Sequence, residues 1–183
     1  MASHALRHAD PARDGARCAA IYAPFVNDGI ASFETEAPSA AEMSARIETT
    51  SAGYPWLVAE RDGEVAGFAY ATSHRVRAAY RWAADVSVYI DPGQHRLGVG
   101  RKLYLALFEL LRDQRLLIAC AGITLPNEAS VGLHESLGFV AVGIYRKIGW
   151  KAGAWHDVGW WQLELGERTG GVPQEPLGPP RAG

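Results

Sequence analysis

The stretch from Asp85 to Arg101 carries the residues best placed to do chemistry. Its first part, 85–90, alternates polar and apolar residues, which predicts a strand with two different faces. Asp91-Pro92 ends this strand, because proline has no N–H to give to a β-ladder. A basic turn punctuated by glycine, 94–100, then leads into a long helix. Glycine permits close approach of another molecule, and free N–H groups at a helix start attract anions, so this turn is a candidate phosphate cradle.

Positive charge lies close to the same turn. Arg96 and Arg101 stand within or beside it, and Lys102 follows. Glycine alone is weak evidence for a ligand, because many strand-to-helix turns use it only for its backbone geometry. The stretch by itself therefore leaves two interpretations open, a phosphate-binding turn and a purely structural one.

The segment 74–81, His-Arg-Val-Arg-Ala-Ala-Tyr-Arg, is the most basic short stretch of the chain. Arginine carries a planar, forked set of donors that matches a carboxylate. This property favours a loop that binds an acidic small molecule. A loop whose charges simply face water is the alternative.

Composition narrows the classes of partner. The chain has 183 residues and a formal net charge of -2, which indicates one domain and argues against a nucleic-acid surface. Cys18 and Cys120 lie far apart in apolar segments, so we expect buried free thiols, a reducing compartment and no metal site. No run is apolar enough to span a bilayer, and the N-terminus lacks the apolar core of a signal peptide. We expect a cytoplasmic protein without a membrane partner.

The elements that must position these groups follow from periodicity and punctuation. Asp10-Pro11 begins one helix, and the capping box Ser39-Ala-Ala-Glu42 begins another. Asp62-Gly63 predicts a tight hairpin turn. The predicted order is β-α-α-β-β-β-α-β-α-β-β. The strands are predicted at 5–9, 56–60, 65–73, 85–90, 116–124, 139–146 and 158–165, and the helices at 11–25, 40–50, 98–114 and 128–136.

This order predicts an α/β protein, an α+β mixed sheet with helices on both faces. We assign residues 1–165 to a single domain. The segment 149–156, rich in glycine and tryptophan, is predicted to be a loop. Residues 166–183 are rich in proline and glycine and are expected to be a disordered tail.

Several separated motifs occur in the order typical of one known family. They are Tyr54-Pro55-Trp56-Leu57-Val58-Ala59-Glu60, Asp62-Gly63-Glu64-Val65-Ala66-Gly67, Ser87-Val88-Tyr89, Leu125-Pro126-Asn127, His134-Glu135-Ser136-Leu137-Gly138-Phe139 and Trp155-His156-Asp157-Val158-Gly159. With the glycine turn after the fourth strand, the chain resembles the GNAT N-acetyltransferase superfamily. Within it, the chain looks like the phosphinothricin N-acetyltransferases, a group that includes enzymes acting on methionine sulfoximine. The resemblance covers about Leu6 to Leu165 and implies the acyl-CoA N-acyltransferase fold and a homodimer.

The resemblance implies that acetyl-CoA is the co-substrate. The pyrophosphate is expected on the glycine turn, where His95 replaces the glutamine or arginine usual in the family. The pantetheine arm is expected along the strand that carries Val88, with Asn127 and Ser130 on its far side. The implied cofactor-binding residues are Val88, Tyr89, Ile90, His95, Arg96, Leu97, Gly98, Val99, Gly100, Arg101, Asn127 and Ser130.

Acetyl transfer to an amine requires a base, because an α-ammonium with a pKa of roughly 8 is mostly protonated at neutral pH. The family's base position matches Asp85, where the family has glutamate. Aspartate keeps the charge but is one methylene shorter, so we expect it to reach the amine through water. The alternative is that Asp85 only pairs with a loop arginine. His134 matches the family's helix histidine, which would assist the base or protonate the leaving thiolate; a structural role is the alternative.

The resemblance also implies a substrate pocket. Its expected residues are Phe33, Arg75, Arg77, Tyr80 and Val158. Arg77 is the expected contact for the substrate carboxylate or phosphinate. The tryptophans at 150, 155, 160 and 161 are expected in the core or in an interface, and His156 is expected to order the last loop.

The leading hypothesis is an acetyl-CoA-dependent N-acetyltransferase of the α-amino group of a small amino acid such as phosphinothricin or methionine sulfoximine. One alternative is a GNAT enzyme for another amine or a peptide N-terminus. The arginine-rich segment argues against a cationic amine, because like charges repel. A further alternative is a non-catalytic acyl-CoA-binding sensor, which only the shortened acid at Asp85 favours.

Overall fold

A computed structural model describes residues 4–168 and 170–178. In these residues the elements follow the predicted order. The strands are β1 (Ala5–His8), β2 (Trp56–Arg61), β3 (Glu64–Ser73), β4 (Ala83–Ile90), β5 (Ile118–Leu125), β6 (Val140–Lys151) and β7 (Ala154–Glu164). The helices are α1 (Pro11–Asn27), α2 (Ala40–Ser51), α3 (Val99–Asp113) and α4 (Glu128–Ser136).

The strands pair into one mixed sheet in the order β1-β2-β3-β4-β5-β7-β6. β4 and β5 run parallel, and the other neighbours are antiparallel. Helices cover both faces, as predicted. On one face α1 and α2 pack through Ile21 and Ile47 against β2 and β3. On the other face the apolar stripe of α3, with Leu103 and Leu107, is fully buried against the sheet.

Local signals explain where α1 and α2 begin. The side chain of Asp10 accepts hydrogen bonds from the N–H groups of Ala12 and Arg13, and Pro11 occupies the first helical position. Ser39 and Glu42 form the predicted capping box. These contacts confirm the predicted starts of both helices.

The prediction of a loop at 149–156 is wrong. The structure extends β6 to Lys151 and begins β7 at Ala154, so this segment is the end of a long hairpin. Ala152 and Gly153 form the turn, and both have positive φ, 49° and 75°, which suits the twist of a hairpin. Register shifts between Tyr145 and Gly149 interrupt the strand alternation. That interruption and the glycine content are the reasons why the sequence pattern pointed to a loop.

The proline- and glycine-rich segment contains no helix or strand in its described residues, 166–168 and 170–178. Part of it nevertheless lies against the domain. The N–H of Leu177 donates to the Gln114 carbonyl (2.9 Å), and Glu175 pairs with Arg81 (2.6 Å). Disorder of the tail stays a prediction, and its positions 169 and 179–183 lie outside the described residues. None of the helices in the described ranges combines the length and apolar character needed to cross a membrane.

Candidate functional site

A cleft opens in the middle of the sheet, where β4 and β5 separate. The two strands pair only over Ala83–Asp85 and Ile118–Cys120. Beyond that point β4 keeps its pairing with β3 on one side, while its other edge, 86–90, faces the cleft. The cleft has a volume of about 590 Å³. An unpaired strand edge presents N–H and C=O groups to any extended molecule that enters.

The glycine turn forms one wall of this cleft. Gly98 has φ = 74° and immediately precedes α3, and no side chain caps the helix. The first N–H groups of an α-helix have no partner within the helix, so those of Val99 and Gly100 are available at the cleft. Arg96, also at positive φ (61°), lines the same wall. The turn therefore combines free donors, a helix dipole and positive charge, which suits a phosphate group.

Histidine at position 95 has a structural contact. Its Nε2 lies 3.1 Å from the carbonyl oxygen of Ile90, so the ring bridges the turn and the end of β4. Arg101 donates to the carbonyl of Ser136 (3.1 Å) and so joins the start of α3 to the end of α4. The predicted cofactor-binding residues that line the cleft are Val88, Tyr89, Ile90, His95, Arg96, Gly98, Val99, Gly100, Arg101, Asn127 and Ser130. Leu97 does not line it and is half exposed.

His134 lies in the cleft wall but is held on both sides. Its Nδ1 is 2.7 Å from the carbonyl of Ser130, which can only accept, so Nδ1 carries a proton. Its Nε2 is 3.0 Å from the hydroxyl of Tyr104. Burial lowers the pKa of His134, and the hydrogen bond to Ser130 opposes this only in part. His134 is therefore a neutral imidazole that accepts from Tyr104, and the role predicted for it at the reaction centre stays a prediction.

Asp85 lies just beyond the inner end of the cleft and is the last residue of β4 that pairs with β5. Its Oδ1 is 2.6 Å from Nδ1 of His74, at the end of β3. Burial raises the pKa of the Asp85 carboxyl; the hydrogen bond from His74 and the charge of Arg75 act in the opposite direction. The partner of Asp85 is thus a histidine of the basic segment, whereas the alternative considered from the sequence was an arginine.

The thiol of Cys120 lies beside this pair. Cys120 is the register partner of Asp85, and ligand atoms of His74, Asp85 and Cys120 all lie within 4.8 Å of one another. Burial, followed by the charge of Asp85, raises the pKa of Cys120 to about 11, so the thiol is neutral at physiological pH.

A second group of aromatic and basic residues lies on the same face of the sheet. Gly122 pairs with Trp160, and residues two apart on a strand share a face, so Trp160 faces the same side as Asp85. The indole lies flat on Gly122, where a Cβ would come within 3.2 Å of the ring. Arg75 lies 5.7 Å above the indole centroid, a cation–π contact. The indole Nε1 is buried and has no hydrogen-bond partner within the described residues.

Of the predicted substrate residues, Arg75, Tyr80 and Val158 lie in or beside this group, and none of the five lines the cleft. Tyr80 meets the ring of His74 edge-on at 5.8 Å. Val158 is two residues from Trp160 on β7 and shares its face. Phe33, in the connection between α1 and α2, packs its ring against β6 at Gly149, where the absence of a side chain leaves room for it. Arg77 is exposed, and its side chain makes no hydrogen bond or ion pair with the described residues.

The connection that carries Phe33 is tied to the β6–β7 hairpin. Nζ of Lys151 donates to the carbonyls of Val26, Ser32 and Glu34 at 2.6, 2.6 and 2.8 Å. The end of the hairpin thus fixes the connection between α1 and α2, which carries Phe33.

Three residues of this region were missed in the sequence. His74 was seen only as part of a basic stretch, Trp160 was expected in the core or in an interface, and Tyr104 was not singled out. The pairing of β3, β4, β5 and β7 places His74 and Trp160 near Asp85, and the packing of α3 on the sheet places Tyr104 in the cleft wall. The basic segment was the one usable signal, because it named the loop that contains His74.

Comparison with known proteins identifies the family. The model of the acetyltransferase (GNAT) domain matches residues 12–160. The chain belongs to the GNAT acetyltransferase family. It is 41% identical over 154 residues to a phosphinothricin N-acetyltransferase of Streptomyces viridochromogenes, covering 84% of each chain. It is 36% identical over 148 residues to an L-methionine sulfoximine/L-methionine sulfone acetyltransferase of Pseudomonas aeruginosa, covering 80% of this chain and 86% of that protein.

A solved GNAT structure has the same fold. The crystal structure of a phosphinothricin acetyltransferase from Sinorhizobium meliloti in complex with acetyl-CoA superimposes with a TM-score of 0.88 at 35% identity, over 94% of each chain. The expected fold class and the expected family are therefore confirmed, and this GNAT protein is an N-acetyltransferase.

Proposed function

We propose that this enzyme transfers the acetyl group of acetyl-CoA to the α-amino group of a small amino acid such as phosphinothricin or methionine sulfoximine. The observation that carries the proposal is the cleft between β4 and β5, with a glycine turn at its outer end and a partly buried carboxylate just beyond its inner end. A cofactor wall and a base are thus joined by one strand, β4.

The cofactor residues are proposed from the cleft geometry. The uncapped start of α3 and Arg96 suit the pyrophosphate, and the free edge of β4 at Val88–Ile90 suits the amides of a pantetheine arm. Asn127 caps α4 by accepting from the N–H of Ser130 (3.1 Å) and thereby fixes the opposite wall. These contacts need no metal ion, and none is proposed.

The basic centre is proposed at Asp85. The substrate ammonium must lose a proton before its nitrogen can attack the thioester carbonyl. A carboxyl whose pKa is raised by burial is a better proton acceptor than an exposed one. On the opposite wall, the neutral His134 accepts from the hydroxyl of Tyr104. We propose that this pair lines the path of the leaving thiolate, which takes its proton from water.

The pocket beside Trp160 is proposed for the amino-acid side chain and carboxylate. Arg75 and Arg77 supply positive charge, and Phe33, Tyr80 and Val158 supply apolar walls. The indole Nε1 of Trp160, buried without a partner, is a further donor for an oxygen of the substrate. Three cationic or neutral donors favour a substrate with two acidic or strongly polar ends.

The direct test is release of free thiol from acetyl-CoA with a panel of amines. We expect turnover with phosphinothricin and methionine sulfoximine, and none with a polyamine or with an amino acid whose α-amino group is blocked. Turnover with a peptide N-terminus or another amine alone would contradict the proposed substrate class. Binding of acetyl-CoA without turnover of any amine would indicate a sensor and contradict the enzymatic proposal.

We further propose that residues 1–165 are the catalytic unit and that it works as a homodimer in the cytoplasm. The two free, buried cysteines, Cys18 and Cys120, suit a reducing compartment. The edge strand β6 exposes a row of apolar side chains, which suits a second copy of the chain.

A further inference from the structure

We infer that the proton acceptor of this enzyme is His74 and that Asp85 orients it. This inference rests on the proposed acetyl transfer and deepens it, because it moves the acceptor from the carboxylate to its hydrogen-bond partner. Asp85 then acts through His74 and is a positioning residue.

The hydrogen bond between the two side chains sets the tautomer. At 2.6 Å, Nδ1 of His74 is close enough to donate to Oδ1 of Asp85, and an ionised carboxylate can only accept. The proton of the neutral ring therefore lies on Nδ1, and the lone pair lies on Nε2. A carboxylate that holds Nδ1–H both fixes the ring and stabilises the imidazolium that forms when Nε2 takes a second proton.

Nε2 of His74 is free to meet a substrate. It makes no hydrogen bond within the described residues, and it is not one of their buried unpaired atoms. Two aromatic rings hold the imidazole edge-on, those of Tyr80 and Trp160, each with its centroid 5.8 Å away. The same Trp160 carries Arg75 on its face, so the acceptor lies in the pocket proposed for the amino acid.

The groups around His74 leave the imidazole as the suitable acceptor. Its charged and titratable neighbours are Asp85 from β4, Cys120 from β5, and Arg75 and Tyr80 from its own loop. The thiol of Cys120 stays protonated at neutral pH, because burial raises its pKa to about 11. An imidazole ordinarily binds protons more tightly than a carboxyl group, so it is better matched to an amine.

The proton balance is simple. An N–H bond of the substrate ammonium breaks, and its proton forms a bond to Nε2 of His74. The ring becomes an imidazolium paired with the Asp85 carboxylate, and the freed electron pair of the amine attacks the thioester carbonyl. His74 returns this proton to solvent. When the C–S bond of the tetrahedral adduct breaks, the nitrogen gives up its second proton and the CoA thiolate takes up one from water, so that acetyl transfer releases one proton in all.

The role of His74 also explains how Asp85 can serve although its side chain is one methylene shorter than the family's glutamate. Asp85 was expected to need a water molecule to reach the amine. An imidazole inserted between the carboxylate and the pocket covers that distance with a side chain of this protein.

The test uses His74→Asn, because the asparagine amide can still donate to Asp85 but has no basic nitrogen. We expect kcat to fall about 10²- to 10⁴-fold, the range typical of losing a general base. The acetyl-CoA Kd should be unchanged, and the acid limb of the pH profile should move, because Asp85 alone then has to take the proton. His8→Asn, an exposed histidine on β1, is the matched control and should keep wild-type kinetics.

A second variant, His74→Ala, tests whether a basic nitrogen is what the site needs. His74→Ala should be inactive, and added imidazole should restore part of its activity. Wild-type kcat and an unchanged acid limb in His74→Asn would overturn the inference, because the hydrogen bond alone would then suffice and Asp85 would be the acceptor. Failure of the wild-type enzyme to turn over any amine would instead overturn the proposed function.

Discussion

At the scale of single residues, the arginines of the basic segment 74–81 differ in their contacts. Arg75 lies on the indole of Trp160 and donates to the carbonyl of His74. Arg81 stacks on Trp82 at 4.1 Å and pairs with Glu175 of the C-terminal segment. Arg77 has no such partner within the described residues. A substrate carboxylate would therefore find Arg77 uncommitted, whereas contact with Arg81 would first have to break existing interactions.

This difference predicts the effect of Arg77→Ala. We expect the KM for the amino-acid substrate to rise about 10- to 100-fold, which corresponds to the loss of a hydrogen bond between charged groups. The acetyl-CoA Kd should not change. Arg77→Lys should recover only part of the loss, because lysine lacks the forked donors.

Arg81→Ala is the matched control, since it removes the same charge from the same segment. Its KM should stay close to that of the wild type. Steady-state kinetics with varied amino acid decides between the two sites. An unchanged KM in Arg77→Ala, or a larger rise in Arg81→Ala, would place the carboxylate elsewhere.

At the scale of elements, the start of α3 depends on one backbone conformation. Gly98 at φ = 74° turns the chain so that the first N–H groups of the helix face the cleft. A Cβ at this position would meet no atom within 4 Å, so space is not the constraint. A residue other than glycine pays about 1–2 kcal/mol for this left-handed conformation.

We therefore expect Gly98→Ala to bind acetyl-CoA about 5- to 30-fold more weakly, since the exposed turn can relax away from the binding conformation. Gly132→Ala in α4 is the control: a Cβ there also meets no atom within 4 Å, but its φ is not positive. Isothermal titration measures both variants. Equal affinity of Gly98→Ala and the wild type would contradict a role of this backbone conformation in binding.

Comparison of the predicted and observed elements shows which features the sequence alone could predict. Caps and apolar periodicity identified α1, α2, α3 and α4, because those signals are local. The β6–β7 hairpin was misread because of its glycine content and register shifts, and because its turn places Ala152, a residue without a special preference for positive φ, at 49°. The cofactor wall followed from a local glycine turn. The His74–Asp85 contact did not, because it depends on strand pairing between residues 11 positions apart.

At the scale of the whole molecule, β6 is the exposed end of the sheet. It is 12 residues long and has no neighbour on its outer side within the described residues. Its exposed apolar side chains, together with one from β7, are Val140, Val142, Ile144, Ile148, Trp150 and Trp155. A long apolar edge strand promotes association with another chain unless it is covered. We expect a second copy of this chain to cover it.

The corresponding prediction is that the double variant Val142→Glu/Ile148→Glu is a monomer while the wild type is a dimer. Both side chains are more than half exposed, at 58% and 57%, so the substitutions should leave the fold of the single chain intact. Two buried, unpaired carboxylates would oppose assembly of an apolar interface. Leu105→Glu on the outer side of α3, 47% exposed, is the control and should stay dimeric. Sedimentation equilibrium gives the masses. A wild-type monomer, or a double variant that keeps the dimer mass, would show that β6 is not the interface.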